Sequence, residues 1–226
     1  PPPPMARTLR ILSALLGYPD ARLRSHLAEM RDLLRNERAL SPSRRGELVV
    51  LMDTLLRADP LATEADYVEL FDRGRATSLH LFEHVHGESR DRGPAMIDLG
   101  QTYERAGLIL AEGELPDYLP AVLEFVSTQP PREARAFLGE MVHIFNAIFG
   151  ALVHRDSAYA SVLGALIEMA GEKAQAVTPA AEEPLDDSWA EPVVFDGCSS
   201  KGQSKPGQAQ PVHIVRKSQP AQGASS

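Results

Sequence analysis

From Arg7 to Ala170 the apolar residues recur at steps of three and four, the spacing that lines one face of an α-helix. Ile11, Leu12, Leu15 and Leu16 make the first stripe, over about Arg7–Leu16, and Gly17 and Pro19 stop it. Asp20 is placed to cap a second helix that carries Leu23, Leu27, Met30 and Leu34. Ser41-Pro42 joins an N-cap to a proline in the first helical position, ahead of Leu48, Leu51, Met52, Leu55 and Leu56. Asp59-Pro60 repeats that signal before Tyr67, Leu70 and Phe71, and Gly74 closes the segment.

Further on, Met96, Leu99 and Tyr103 predict a helix over about Arg92–Ala106, with Gly107 just past its end. Asp117 and Pro120 predict the start of another, with Leu119, Val122, Leu123 and Val126 inside it. Phe137, Leu138, Met141, Ile144, Phe145, Ile148 and Leu152 predict one long helix after Pro131. Asp156 is the expected cap of a last helix bearing Val162, Leu163, Leu166 and Met169. Alternating β-branched runs and hairpin turns are missing. The expectation is an all-α, single-domain helical bundle over residues 7–170.

Residues 1–6 are expected to be a disordered lead-in, with Pro1–Pro4 ahead of Met5 an extended or misplaced start. From Gly171 the chain is rich in Pro, Gly, Ser, Gln and Ala, acidic over Glu182–Glu191 and basic over Lys201–Lys217. Such a segment buries too little apolar surface to offset its ordering entropy, so residues 171–226 are expected to form a disordered tail. Trp189, Val193, Val194 and Phe195 are its apolar island, either part of a loose tail or a segment that folds on a partner.

Charge narrows the classes of function. The net charge of −8 and the lack of a basic stripe argue against nucleic acid and favour cationic partners such as basic peptides. Cys198 is the single cysteine, so no disulfide or Cys-x-x-Cys pair can form within the chain. Together with the absence of a run long enough to span a membrane, this gives a cytoplasmic expectation. Nucleophile-elbow, Walker and dinucleotide fingerprints are absent.

One stretch raises a catalytic reading. His80, Glu83 and His84 in HLFEHVH fit the H-x-x-E-H pattern of a zinc hydrolase class. If Thr77–Val85 is helical, Leu81, Phe82 and Val85 face the core and His80, Glu83 and His84 share the other side. Two imidazoles could then grip zinc with a glutamate as base, but no second motif supplies the third ligand. A solvated face or a partner-binding face fits the alternating charges of Glu88–Arg92 as well.

The longer run YVELFDRGRATSLHLFEHVHGESRDRGPAMIDL, Tyr67–Leu99, resembles the signature block of the NarJ/NarW family. These are the delta-subunit chaperones of respiratory nitrate reductase, relatives of the TorD/DmsD redox-enzyme maturation chaperones. LLGYPDARL at 15–23 and ELPDYLP at 114–120 are similar to the same family, and the likeness spans the helical region. The superfamily's aromatic-x-x-Leu-Phe motif maps onto Tyr67, Leu70 and Phe71, and its E-x-x-D-His/Tyr motif onto Glu114, Asp117 and Tyr118. His80 is not part of the family pattern, which weakens the zinc reading.

The resemblance implies a TorD/DmsD/NarJ-type helical bundle with no catalytic activity and no cofactor of its own. It implies a partner, the N-terminus of the nitrate reductase catalytic (alpha) subunit, held while the molybdenum cofactor is inserted and before membrane attachment. Proteins that deliver the molybdenum cofactor are further implied partners; nucleic acid and stable membrane insertion are not. Tyr67 and Phe71 are candidates for the floor of a peptide groove, or else ordinary core aromatics. Asp72, Glu83, Glu88, Glu114 and Asp117 are candidates for an acidic rim, or else solvated charges. Phe82, His84 and His86 complete the expected docking surface. Protonation of the two histidines would weaken binding of a basic peptide as pH falls, or else both are ordinary histidines satisfied by local hydrogen bonds.

Overall fold

In the computed structural model, which describes residues 4–86 and 90–175, the periodic stripes become ten α-helices. Helix α1 runs Pro4–Leu16, α2 Ala21–Arg35, α3 Pro42–Arg57, α4 Pro60–Tyr67 and α5 Leu81–Val85. They are followed by α6 Arg92–Arg105, α7 Leu119–Thr128, α8 Pro131–Glu140, α9 Val142–His154 and α10 Ala160–Ala170. The all-α expectation holds: among the described residues the sole β-type pairing is one antiparallel bridge, His80 with Tyr118. Glu88 and the tail from residue 176 onward, including Trp189 and Cys198, lie outside the described residues.

Three predicted caps form as expected. The Asp20 carboxylate accepts from Leu23 N at 2.8 Å, Ser41 Oγ from Arg44 N at 3.3 Å and Asp59 from Ala62 N at 2.9 Å. Each satisfies an orphan amide of the first turn within three residues of the cap. Gly107, at φ +77°, ends α6, and Gly171, at φ +95°, ends α10, both in the left-handed region that glycine enters without a Cβ penalty.

Four local expectations fail. Helix α1 starts at Pro4 rather than Arg7, because proline has no amide to lose in a first turn. The long helix expected after Pro131 is two, α8 and α9, bent by 63° at Met141. The break falls two residues after Gly139, a weak helix former. Asp156 caps nothing: it sits at φ +50° in the turn before α10, a conformation aspartate tolerates better than most residues. Asp117 does not cap α7, whose first turn has no side-chain cap.

Helices α1, α7, α9 and α10 form the centre. Leu9, Leu12, Leu15 and Leu16 of α1 are fully buried, packed along α7. Each such leucine contributes about 1.5–3 kcal/mol of burial free energy. Ser13 Oγ donates to Pro120 O at 2.9 Å, fixing the α1–α7 register. Helix α10, buried on nearly every side, lies along α9 and also meets α8, α3 and α1. Among the described residues no single helix is long and apolar enough to cross a membrane.

Candidate functional site: a charged cleft beside helix α5

After α4 the backbone widens into a π-type turn, Val68–Asp72, and then tightens into a 3-10 turn, Arg75–Thr77. Thr77 Oγ1 donates to the Leu70 carbonyl and lies 3.2 Å from that of Gly74, folding the two turns against each other. At their mouth lies a cleft of about 820 Å³, walled by Phe71, Asp72, Gly74, Ser78, His80, Glu83 and the arginines 73, 75 and 92.

The far wall is set by a short backbone exchange across the His80–Tyr118 bridge. Leu119 N donates to Leu79 O at 2.9 Å, and Leu81 N donates to Asp117 O at 3.0 Å. Beneath the cleft, aromatic rings stack in edge and tilted pairs: Tyr67–Phe71 at 4.8 Å, Phe71–Tyr159 at 5.1 Å and Tyr18–Tyr67 at 5.6 Å between centroids. Tyr67 Oη donates to Leu16 O at 2.6 Å and lies 3.3 Å from Tyr118 Oη. Helix α6 is held from below by Tyr103, whose hydroxyl donates to Pro116 O at 2.7 Å.

Asp117 organises the electrostatics. Its side chain is 0% exposed, and its carboxylate accepts from Phe82 N at 3.1 Å. It therefore caps α5 from 35 residues away in sequence. His80 Nδ1 lies 3.4 Å from the same carboxylate and Arg92 Nη2 lies 4.0 Å from it, while Arg92 also reaches Glu83 at 3.6 Å. A buried carboxylate is tolerable only with such partners.

The hydrogen bond to Asp117 holds the His80 imidazole above its usual pKa of 6.5, with the charges of Asp117 and Glu83 adding; burial and Arg92 oppose. A pKa raised by folding adds stability that is fully present below the unfolded value near 6.5. That stability disappears as pH rises through the folded value. The urea midpoint of the wild type is thus expected to fall across the neutral range with rising pH, and His80→Asn is expected to flatten that dependence. Parallel wild-type and variant profiles would refute the His80–Asp117 linkage.

The expected site residues separate into groups. Asp72 and Glu83 stand exposed on the cleft rim, and Phe71, 4% exposed, supplies an edge of its wall. Tyr67, also 4% exposed, is core, because its ring is enclosed by Tyr18, Phe71 and Tyr159. Leu70 is half-buried against the core and contributes its carbonyl to the turn, and Tyr118 is half-buried on the bridge. Phe82 is half-buried, its ring 5.3 Å from that of His86. Glu114 is exposed but does not line the cleft. Asp117 is corrected from rim to interior, since its oxygens are consumed by α5, His80 and Arg92.

The helix expected over Thr77–Val85 is only α5, and Val85 is 52% exposed rather than core-facing. This parts the zinc pattern. His80 precedes the helix and turns to Asp117, while His84 Nε2 lies 2.8 Å from Ser78 O. Among the described residues no three His, Cys, Asp or Glu side chains converge as a metal site. Sequence reasoning missed Arg92 and the Arg73/Arg75 pair as cleft walls, although Arg-Gly-Arg and Arg-Asp-Arg stand inside the quoted block. It missed Tyr159, which meets Phe71 from 88 residues away; 159 minus 71 gives that separation, and no local signal marks it.

This helical scaffold, with an open, charge-lined cleft over an aromatic core, has counterparts among known proteins. The fold is shared with the crystal structure of a protein from Archaeoglobus fulgidus described as a redox enzyme maturation protein, at a TM-score of 0.54 and 21% identity over 74% of this chain and 94% of that one. The family model described as "Nitrate reductase delta subunit" matches residues 23–163. The nitrate reductase molybdenum cofactor assembly chaperone NarJ of Escherichia coli K12 is 43% identical over 80% of this chain and 78% of its own. The corresponding NarW protein is 40% identical over 72% and 68%, and the Bacillus subtilis NarJ protein 32% over 71% and 86%. The chain belongs to the nitrate reductase delta subunit family, and the NarJ and NarW relatives above carry the name of nitrate reductase molybdenum cofactor assembly chaperones.

Proposed function

We propose that this protein is a cytoplasmic assembly chaperone for a respiratory nitrate reductase. It binds the N-terminal segment of the catalytic subunit, keeps the apoenzyme open to insertion of the molybdenum cofactor, and acts before membrane attachment alongside proteins that deliver that cofactor. The carrying observation is the roughly 820 Å³ cleft, where an edge of Phe71 forms part of the wall and the exposed carboxylates Asp72 and Glu83 share the rim with Arg73, Arg75 and Arg92. An amphipathic basic segment would place apolar anchors against such a wall and cations on such a rim.

Calorimetric titration of the protein with a synthetic peptide of that N-terminus is expected to show saturable one-to-one binding. Exposed ion pairs contribute about 0.2–1 kcal/mol each, so the double substitution Asp72→Asn, Glu83→Gln is expected to weaken binding roughly fivefold at low salt. Absence of saturable binding at any salt concentration would overturn the peptide reading.

A further inference from the structure

A second cleft, of about 590 Å³, is lined by Met5, Arg38, Ala39, Pro131, Arg132, Arg135 and Met169. It draws on α1, the segment after α2, α8 and α10, and it does not share a lining residue with the cleft beside α5. Three of its seven lining residues are arginines and none is acidic, in a chain whose net charge is −8. Of the acids adjacent in sequence, Glu37 pairs with Arg7 at 2.7 Å, Glu168 accepts from Ser41 and lies 3.8 Å from Arg44, and Glu133, beside Arg132, is exposed and does not line the cleft. Arg38 and Arg132 are exposed, and neither forms an ion pair or side-chain hydrogen bond among the described residues.

Arg135 is held in place. Its Nε donates to Met169 O at 3.3 Å, at the end of α10, and its guanidinium lies over Gly171, 3.6 Å from where a Cβ would stand. One edge of the fork is thus fixed by backbone and the terminal nitrogens remain for another acceptor. Three like charges around one opening repel one another unless an anion lies between them, and guanidinium forks match the oxygens of a phosphate in pairs. The thioethers of Met5 and Met169 and the ring of Pro131 give the same cleft apolar walls. Its volume is in the range of small-molecule sites.

We propose that this cleft binds a phosphate monoester with an apolar or aromatic body: the phosphate between Arg38, Arg132 and Arg135, the body against Met5, Pro131 and Met169. The test is titration of the full chain at low salt with four probes: phenyl phosphate, inorganic phosphate, benzoate and phosphatidylglycerol vesicles. Phenyl phosphate is expected to bind saturably and at least tenfold more tightly than inorganic phosphate or benzoate, since only it offers both the dianion and the ring. Arg135→Lys, which keeps charge but loses the fork, is expected to weaken phenyl phosphate at least fivefold. Arg38→Gln with Arg132→Gln is expected to weaken it at least tenfold with an unchanged melting transition, because both side chains are exposed and unpartnered. Equal affinity for benzoate, binding to vesicles alone, no saturable phenyl phosphate binding, or full affinity in the double variant would each overturn the proposal.

Discussion

Asp117→Ala is expected to lower the unfolding free energy by about 3 kcal/mol, the scale for removing one partner of a buried charge network. The substitution leaves Phe82 N without its acceptor in the first turn of α5, and it strips His80 and Arg92 of the carboxylate they share. It leaves the backbone pair between Leu81 N and Asp117 O intact, so damage should centre on α5 and the α6 end that carries Arg92. Asp117→Asn keeps the shape and one carbonyl acceptor for Phe82 N, and is expected to lose roughly half as much. Urea denaturation measures both, and amide exchange at Phe82 locates the loss. An alanine variant within about 0.5 kcal/mol of wild type would show that Asp117 does not hold α5. Because Glu83 rides on α5, the alanine variant is also expected to bind a client peptide less well without Asp117 touching it.

The second large effect is expected at Gly74. Its backbone, at φ −89° and ψ 106°, is open to any residue, so the constraint is space and not conformation. A Cβ there would stand 2.6 Å from the Leu70 carbonyl oxygen, against Thr77 Oγ1 and 3.1 Å from Arg155 Nη1. The arginine can swing away. The Leu70 carbonyl belongs to the π-type turn and is bonded to Thr77, so it cannot move without opening the wall of the cleft. Gly74→Ala is therefore expected to destabilise by about 2–3 kcal/mol, typical of overpacking. Gly93→Ala, with nothing within 4 Å of the added carbon, serves as the control and is expected to fall within about 1 kcal/mol of wild type. Equal denaturation midpoints for the two variants would disprove the close-approach argument.

These two residues mark where sequence reasoning stops. Gly74 reads as a helix terminator, which it is, but its second role depends on Thr77 folding back onto Leu70. Asp117 reads as an ordinary N-cap two residues before α7. It does cap a helix, though the helix is α5, and only tertiary packing makes Phe82 N the nearer donor. Asp72 and Glu83 were legible as a carboxylate rim because both remain exposed. Arg92 was not, since its place depends on α6 being drawn back over the bridge by Tyr103.

What the sequence determined by itself was the all-α class, the helices begun by Asp20, Ser41-Pro42 and Asp59-Pro60, and the family block from Tyr67 to Leu99. Caps and apolar periodicity are set by residues within about four positions of one another, so they can be read without knowing the tertiary fold. Which polar groups are buried, which arginines share a cleft and which histidine meets which carboxylate were decided by the tertiary structure alone. Those outcomes rest on partners 34–37 residues apart, such as Phe82 and His80 with Asp117 or Arg135 with Met169, and on Tyr159 beneath Phe71. No local pattern encodes such a distance; it is set by how α1, α7, α9 and α10 close around their common core.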